Sequence, residues 1–135
     1  MANALYDLGR EGFLGGDIDW DANSIKAVLV DTGQYTVNLA THQFLSDIPA
    51  GARIATSAAL SAKTKAAGVA GAANFGFTAV TGVNCEALVI FADTGTPATS
   101  RLIAYIDTAT NLPVTPNGGD INVNIDTGAN KLFKL

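Results

Sequence analysis

The sequence predicts a mostly β protein: a single antiparallel β-sandwich domain, Ig-like or jelly-roll-like, over residues 1–135, with a short N-terminal helix or arm at 1–16. Three observations carry that prediction. Apolar residues recur with a period of two over short runs, most clearly at Ile121, Val123 and Ile125. Turn signals separate the runs: Asp31-Thr32-Gly33, Thr81-Gly82, Asp93-Thr94-Gly95, Asn117-Gly118-Gly119 and Asp126-Thr127-Gly128. No long helical pattern alternates with the strands, which disfavours a parallel α/β sheet.

The elements follow in chain order. Residues 4–14 predict a short helix with Leu5 and Leu8 on one face. Gly9 and Gly12 weaken it, by about 1 kcal/mol each relative to Ala in an exposed interior, so it needs tertiary contacts to persist. Gly15-Gly16 ends it. Asp17-Ile18-Asp19-Trp20-Asp21 reads as a strand with three acids on one face and Ile18 and Trp20 on the other. Residues 25–30 are apolar nearly throughout and predict a strand inside a sheet. Residues 41–47 predict one or two helical turns, with Thr41 as N-cap and Pro49 closing the segment. Strands are expected from Arg53 to Ala62, at 75–79, at 87–91, at 102–106 and at 121–125, with a last short one at 132–135. Leu102, Ala104 and Ile106 are expected on one face of their strand, with Ile103 and Tyr105 on the other. Residues 61–74, rich in Ala, Gly and Lys, predict a flexible hairpin or exposed loop. Ile121, Val123 and Ile125 are expected to face one core with Leu88, Ile90 and Leu102.

Composition narrows the function classes. A chain of 135 residues can bury a core without disulfide or metal staples. Charged residues make up only 15%, against about 25% in an average soluble chain. A sparsely charged surface suits subunit packing, because little charge must be desolvated on contact. The net charge is -4 and no run of Lys or Arg occurs, which argues against binding a nucleic-acid backbone. Cys85 is the only cysteine, so neither an intrachain disulfide nor a cysteine zinc site is expected, and it reads as a small buried residue. No apolar stretch approaches the roughly 20 residues of a membrane span. The first residues show no basic region followed by a long apolar one, which predicts no secretion signal and folding in a cytoplasm.

Several motifs invite a chemical reading. Asp-Thr-Gly occurs at Asp31, Asp93 and Asp126, and this triplet is the signature of aspartic proteases, where two aspartates share a proton. The Asp126 copy stands too near the C-terminus to be followed by a flap and cleft, so turn chemistry is the expected role of all three. A small homodimeric protease stays as a minor alternative. Asp17, Asp19 and Asp21 resemble the opening of a calcium loop, but Ala22 and Val28 occupy the positions that need Gly and Glu. His42, the only histidine, reads as a capping or packing residue. Trp20, Tyr6, Tyr35 and Tyr105 read as core filling. No catalytic, cofactor-binding or metal-ligating residue is assigned, no cofactor is expected, and the protein is expected not to be an enzyme.

Residues 25–32, 41–49 and 102–110, continuing through Asn111-Leu112-Pro113-Val114-Thr115-Pro116-Asn117-Gly118-Gly119-Asp120, resemble a group of small virion proteins of tailed bacteriophages. The likeness covers nearly the whole chain. It implies a structural particle component located in the virion, without enzymatic activity. Within that class a capsid decoration (cement) protein is expected, clamping major capsid protein subunits or other virion proteins as a homo-oligomer. Residues 2–16 and 61–74 would be its contact arms, unless they pack on their own domain. The alternative is a tail or head-tail component, such as a fibre-base or tail-tip subunit.

Overall fold

The computed structural model describes residues 3–109, 112–125 and 131–135. Among the described residues the chain is mostly β, with one α-helix, and all strand pairings are antiparallel. The main sheet runs in the order β1 (Ala4–Leu5), β8 (Arg101–Ile106), β7 (Ala87–Asp93), β2 (Ser24–Val30), β3 (Arg53–Thr56). A three-stranded sheet joins β10 (Phe133–Lys134), β5 (Val69–Gly71) and β4 (Thr64–Ala66). A two-stranded one joins β6 (Phe75–Phe77) and β9 (Ile121–Val123). The main sheet keeps two edges and does not close into a barrel. The arrangement is sandwich-like, with the opposing layer shared by the two small sheets.

Both faces of the main sheet are covered, and this explains the continuous apolar runs. Ile25, Ala27, Leu29, Leu88, Ile90 and Ala92 face one core with Ile18, Trp20, Phe77 and Phe133. Val28, Val30, Ala87, Val89 and Phe91 face the other, beneath Tyr6, Tyr35, Leu45, Ile48 and Ala52. Alternate residues of β2 and β7 therefore serve opposite cores, as the pleat requires. Full burial of a side chain such as Phe91 or Ile90 contributes about 1.5–3 kcal/mol.

On β8 the pleat breaks. Ile90 pairs with Ala104 but Phe91 pairs with Leu102, so Ile103 is the extra residue of a β-bulge. The bulge puts Leu102 with Tyr105 in the second core and Ile103 with Ala104 in the first. Strict alternation over 102–106, and a shared core for Leu102 and Leu88, are both corrected by this one inserted residue. Ile121, Val123 and Ile125 are half-buried, and Ile121 and Val123 pack at the margin of the first core.

The N-terminal segment differs from a helix beginning at residue 4. Ala4 and Leu5 extend the main sheet by pairing with Tyr105 and Ala104, and the helix α1 spans Asp7–Gly15. Gly16 closes it in the left-handed conformation (φ 79°). Gly9 and Gly12 are the buried residues of α1. A Cβ on Gly9 would stand 2.6 Å from the Leu102 carbonyl oxygen, and one on Gly12 would stand 2.8 Å from Ile18 Cδ1. The residues that weaken the helix locally are those that let it lie against β8. With Tyr6 wholly buried and β1 in the sheet, residues 3–16 belong to the body and are not a free arm.

Other corrections are local. Residues 17–23 form a turn, although burial still alternates as expected: Ile18 and Trp20 are buried and the three aspartates are exposed. Asp19 builds the turn, its Oδ1 accepting from the Asp21 and Ala22 N–H groups. The segment over the second core contains two single-turn 3-10 helices, Leu45–Asp47 and Ala50–Ala52. Thr41 caps neither. Asp47 Oδ2 accepts from the Gln43 and Phe44 N–H groups at 2.8 and 2.9 Å, which tightens the first turn. Strand β3 stops at Thr56. The following residues still track β2 through the Ser57 and Leu60 N–H groups, which donate to Ala27 and Ile25 carbonyls. Residues 64–71 form the expected hairpin, its turn made by Ala67 and Gly68 at positive φ.

Candidate functional site

Asp31 and Asp93 are set by the main sheet. Asp31 follows Val30 at one end of β2, and Asp93 pairs with Ser24 at the other end. Seven residue steps along a strand put them about 23 Å apart, too far to share a proton within one chain. Each closes its own turn. Asp31 Oδ1 accepts from the Gly33 N–H at 2.9 Å, and Asp93 Oδ1 accepts from the Gly95 N–H at 3.0 Å. Gln34 and Gly33 hold the Asp31 carboxyl below the usual carboxylate range. Lys26, whose ammonium lies 2.9 Å from Asp93, does the same there. Two of the three Asp-Thr-Gly triplets thus show one job, an aspartate side chain accepting from the amide two residues on. The triplet at Asp126 lies outside the described residues.

The acidic turn divides its carboxylates. Asp17 pairs with Arg101 at 3.3 Å, Asp21 pairs with Lys65, and Asp19 serves the turn itself. Among the described residues no cluster of three or more metal-ligating side chains occurs. Cys85 is wholly buried, and burial, with the charges of Glu86 and Asp31, pushes its thiol up to about 11. It is therefore a thiol at neutral pH, not a nucleophilic thiolate.

Sequence reading placed Tyr6, Tyr35 and Tyr105 in the core, and all three are there. It missed what two of them do together. The Tyr6 and Tyr35 hydroxyls lie 2.9 Å apart, and Tyr35 Oη lies 2.8 Å from His42 Nδ1. The Asn38 backbone N–H also points at Nδ1, at 3.2 Å. An amide can only donate, so Nδ1 carries the lone pair, Tyr35 donates to it, and Tyr6 donates to Tyr35. The chain of hydroxyls satisfies polar atoms sealed beneath the 35–52 segment. Burial first, then the neighbouring hydroxyl, raises the Tyr6 phenol above its ordinary value, and burial pushes Tyr35 up to about 12.

This geometry makes a testable distinction. Tyr6→Phe removes the first donor and leaves Tyr35 bonded to His42, so it should cost about 0.5–1.5 kcal/mol. Tyr35→Phe strands the wholly buried Tyr6 hydroxyl and should cost more, about 1–2 kcal/mol. Urea midpoints of the two variants at equal m-value check the order. Equal midpoints would show that the hydroxyl chain is not continuous.

Among the described residues three concavities stand out. A cleft of about 820 Å³ opens over the first core, lined by Leu29, Leu88, Ile106, Val114, Ile121 and Val123 among others. A smaller apolar pocket, about 360 Å³, lies between α1 and the β4–β5 hairpin. The third, about 240 Å³, is lined by Asp17, Asn23, Asp93, Thr94, Thr99 and Arg101, and its two carboxylates are already paired, Asp17 with Arg101 and Asp93 with Lys26. No described helix is long and apolar enough to cross a membrane. No protein-family model matches the chain, and no curated protein matches it significantly.

Proposed function

We propose that the protein is a structural component of a tailed-bacteriophage virion, acting as a capsid decoration (cement) protein that binds and stabilises the shell of major capsid protein. The observation that carries this reading is the ordered likeness of residues 25–32, 41–49 and 102–120 to small virion proteins of those phages. Physical support comes from a β body with buried, doubly covered strands and a sparsely charged surface. Because β1 is paired in the sheet and α1 packs against β8, residues 3–16 belong to the body and contacts to the shell are assigned elsewhere. The exposed β4–β5 hairpin and the neutral exposed turn Thr81–Asn84, with Val83 51% exposed, are the surfaces offered.

A subunit that binds only the assembled lattice stabilises it by mass action. Particles lacking the protein should therefore lose resistance to heat and osmotic shock, and added purified protein should restore it. The contact has few charges to screen, so restoration should depend weakly on salt. Unchanged shell resistance, together with tailless or non-adsorbing particles, would reject the cement role. It would favour a tail or head-tail component instead.

A further inference from the structure

Leu14, in the last turn of α1, is 89% exposed, the most exposed large apolar side chain among the described residues. The apolar pocket beside α1 is lined by its neighbour Phe13, by Trp20, Val69, Phe133 and Leu135, and by Lys65. Its aromatic wall is held firmly: Trp20 meets Phe133 edge-on at 5.3 Å, and Phe13 lies 6.4 Å from Phe133. The Trp20 indole N–H donates to the Thr64 carbonyl at 3.0 Å, which fixes the indole against the hairpin. A protruding leucine and an apolar pocket thus both lie at the C-terminal end of α1. Charge follows the same division. Glu11 stands one turn before Leu14 on the same side of the helix and has no ion-pair partner among the described residues. Lys65, in the pocket lining, pairs among the described residues with the exposed Asp21.

We propose that a second copy of this chain covers this face in a two-fold contact, Leu14 of each copy entering the aromatic pocket of the other and Glu11 of each meeting the other's Lys65. A two-fold interface requires a surface that carries both a projection and its complement, and here both the shape and the sign of charge are paired in that way. Exposed apolar patches with a polar margin are the usual mark of such contacts. The contact is a property of the isolated chain and does not depend on the virion reading.

Sedimentation velocity on the purified full chain, across a dilution series, tests it. The wild type should sediment as a dimer that dissociates on dilution. Leu14→Asp should weaken association at least ~10-fold, the loss expected of a central apolar anchor. Its circular dichroism should be unchanged, because Leu14 faces solvent within one copy. Glu11→Lys and Lys65→Glu should each weaken the dimer, and the Glu11→Lys/Lys65→Glu double variant should recover it. A wild type that stays monomeric throughout, leaving the pocket to a different protein, would overturn the proposal. So would a dimer indifferent to Leu14→Asp, or a double variant no better than its parents.

Discussion

A chain lacking residues 2–16 should fail to fold. Leu5 is 5% exposed and Tyr6 is wholly buried, and the two contribute to opposite cores. Their loss alone removes about 3–6 kcal/mol of burial. Deleting β1 also exposes the β8 edge, and the Tyr6 N–H no longer donates to the Ile103 carbonyl at 3.0 Å. The Tyr35 hydroxyl loses its donor as well. A domain of this size has about 5–15 kcal/mol in hand, so the truncated chain should lose its cooperative melt and its dispersed amide spectrum. A truncated protein that keeps native dispersion would restore the view of this segment as a detachable arm. The distinction matters for function, since a particle-binding defect in such a truncation would report unfolding and not a lost contact.

Much of the sheet was legible because a strand's burial is written locally. Apart from Lys26, residues 25–30 and 87–91 are apolar on both faces, as a strand covered on both sides needs. The Asp-Thr-Gly triplets at Asp31 and Asp93 were legible as turns for an equally local reason: the aspartate accepts from an amide two residues away. What stayed hidden depends on distant partners. The bulge at Ile103 is a matter of register against β7, and nothing in Leu102-Ile103-Ala104-Tyr105 announces it. Ala4 and Leu5 suit a helix by composition but pair with residues about a hundred positions later. The alternating burial of Ile18 and Trp20 was right although the strand was not, because Asp19 side-chain bonds hold a turn that also alternates inside and outside. The pocket beside α1 joins Phe13, Trp20, Val69 and Phe133, four positions that no spacing rule connects.

Gly9→Ala should destabilise the protein by about 2–3 kcal/mol, although the same change in an exposed helix interior stabilises by roughly 1 kcal/mol. The sign is decided by what the new methyl group meets. At Gly9 its nearest neighbours are all backbone: the Leu102 oxygen at 2.6 Å, and the Ile103 Cα and oxygen at 3.2 Å. A strand in the interior of the sheet cannot retreat. β8 is paired with β1 on one side and β7 on the other, and Tyr105 and Leu102 are packed beneath the 35–52 segment. The helix must therefore lift, which opens the contact around Gly12 and Ile18 and draws Tyr6 from its buried position. Arg10→Ala, exposed on the same helix and paired only with the exposed Asp7 among the described residues, supplies the control: it should leave stability within about 0.5 kcal/mol of wild type. Denaturant titrations of the two variants decide the matter. If Gly9→Ala proves as stable as Arg10→Ala, α1 does not rest on β8 in the manner described, and the glycines would be local weaknesses after all.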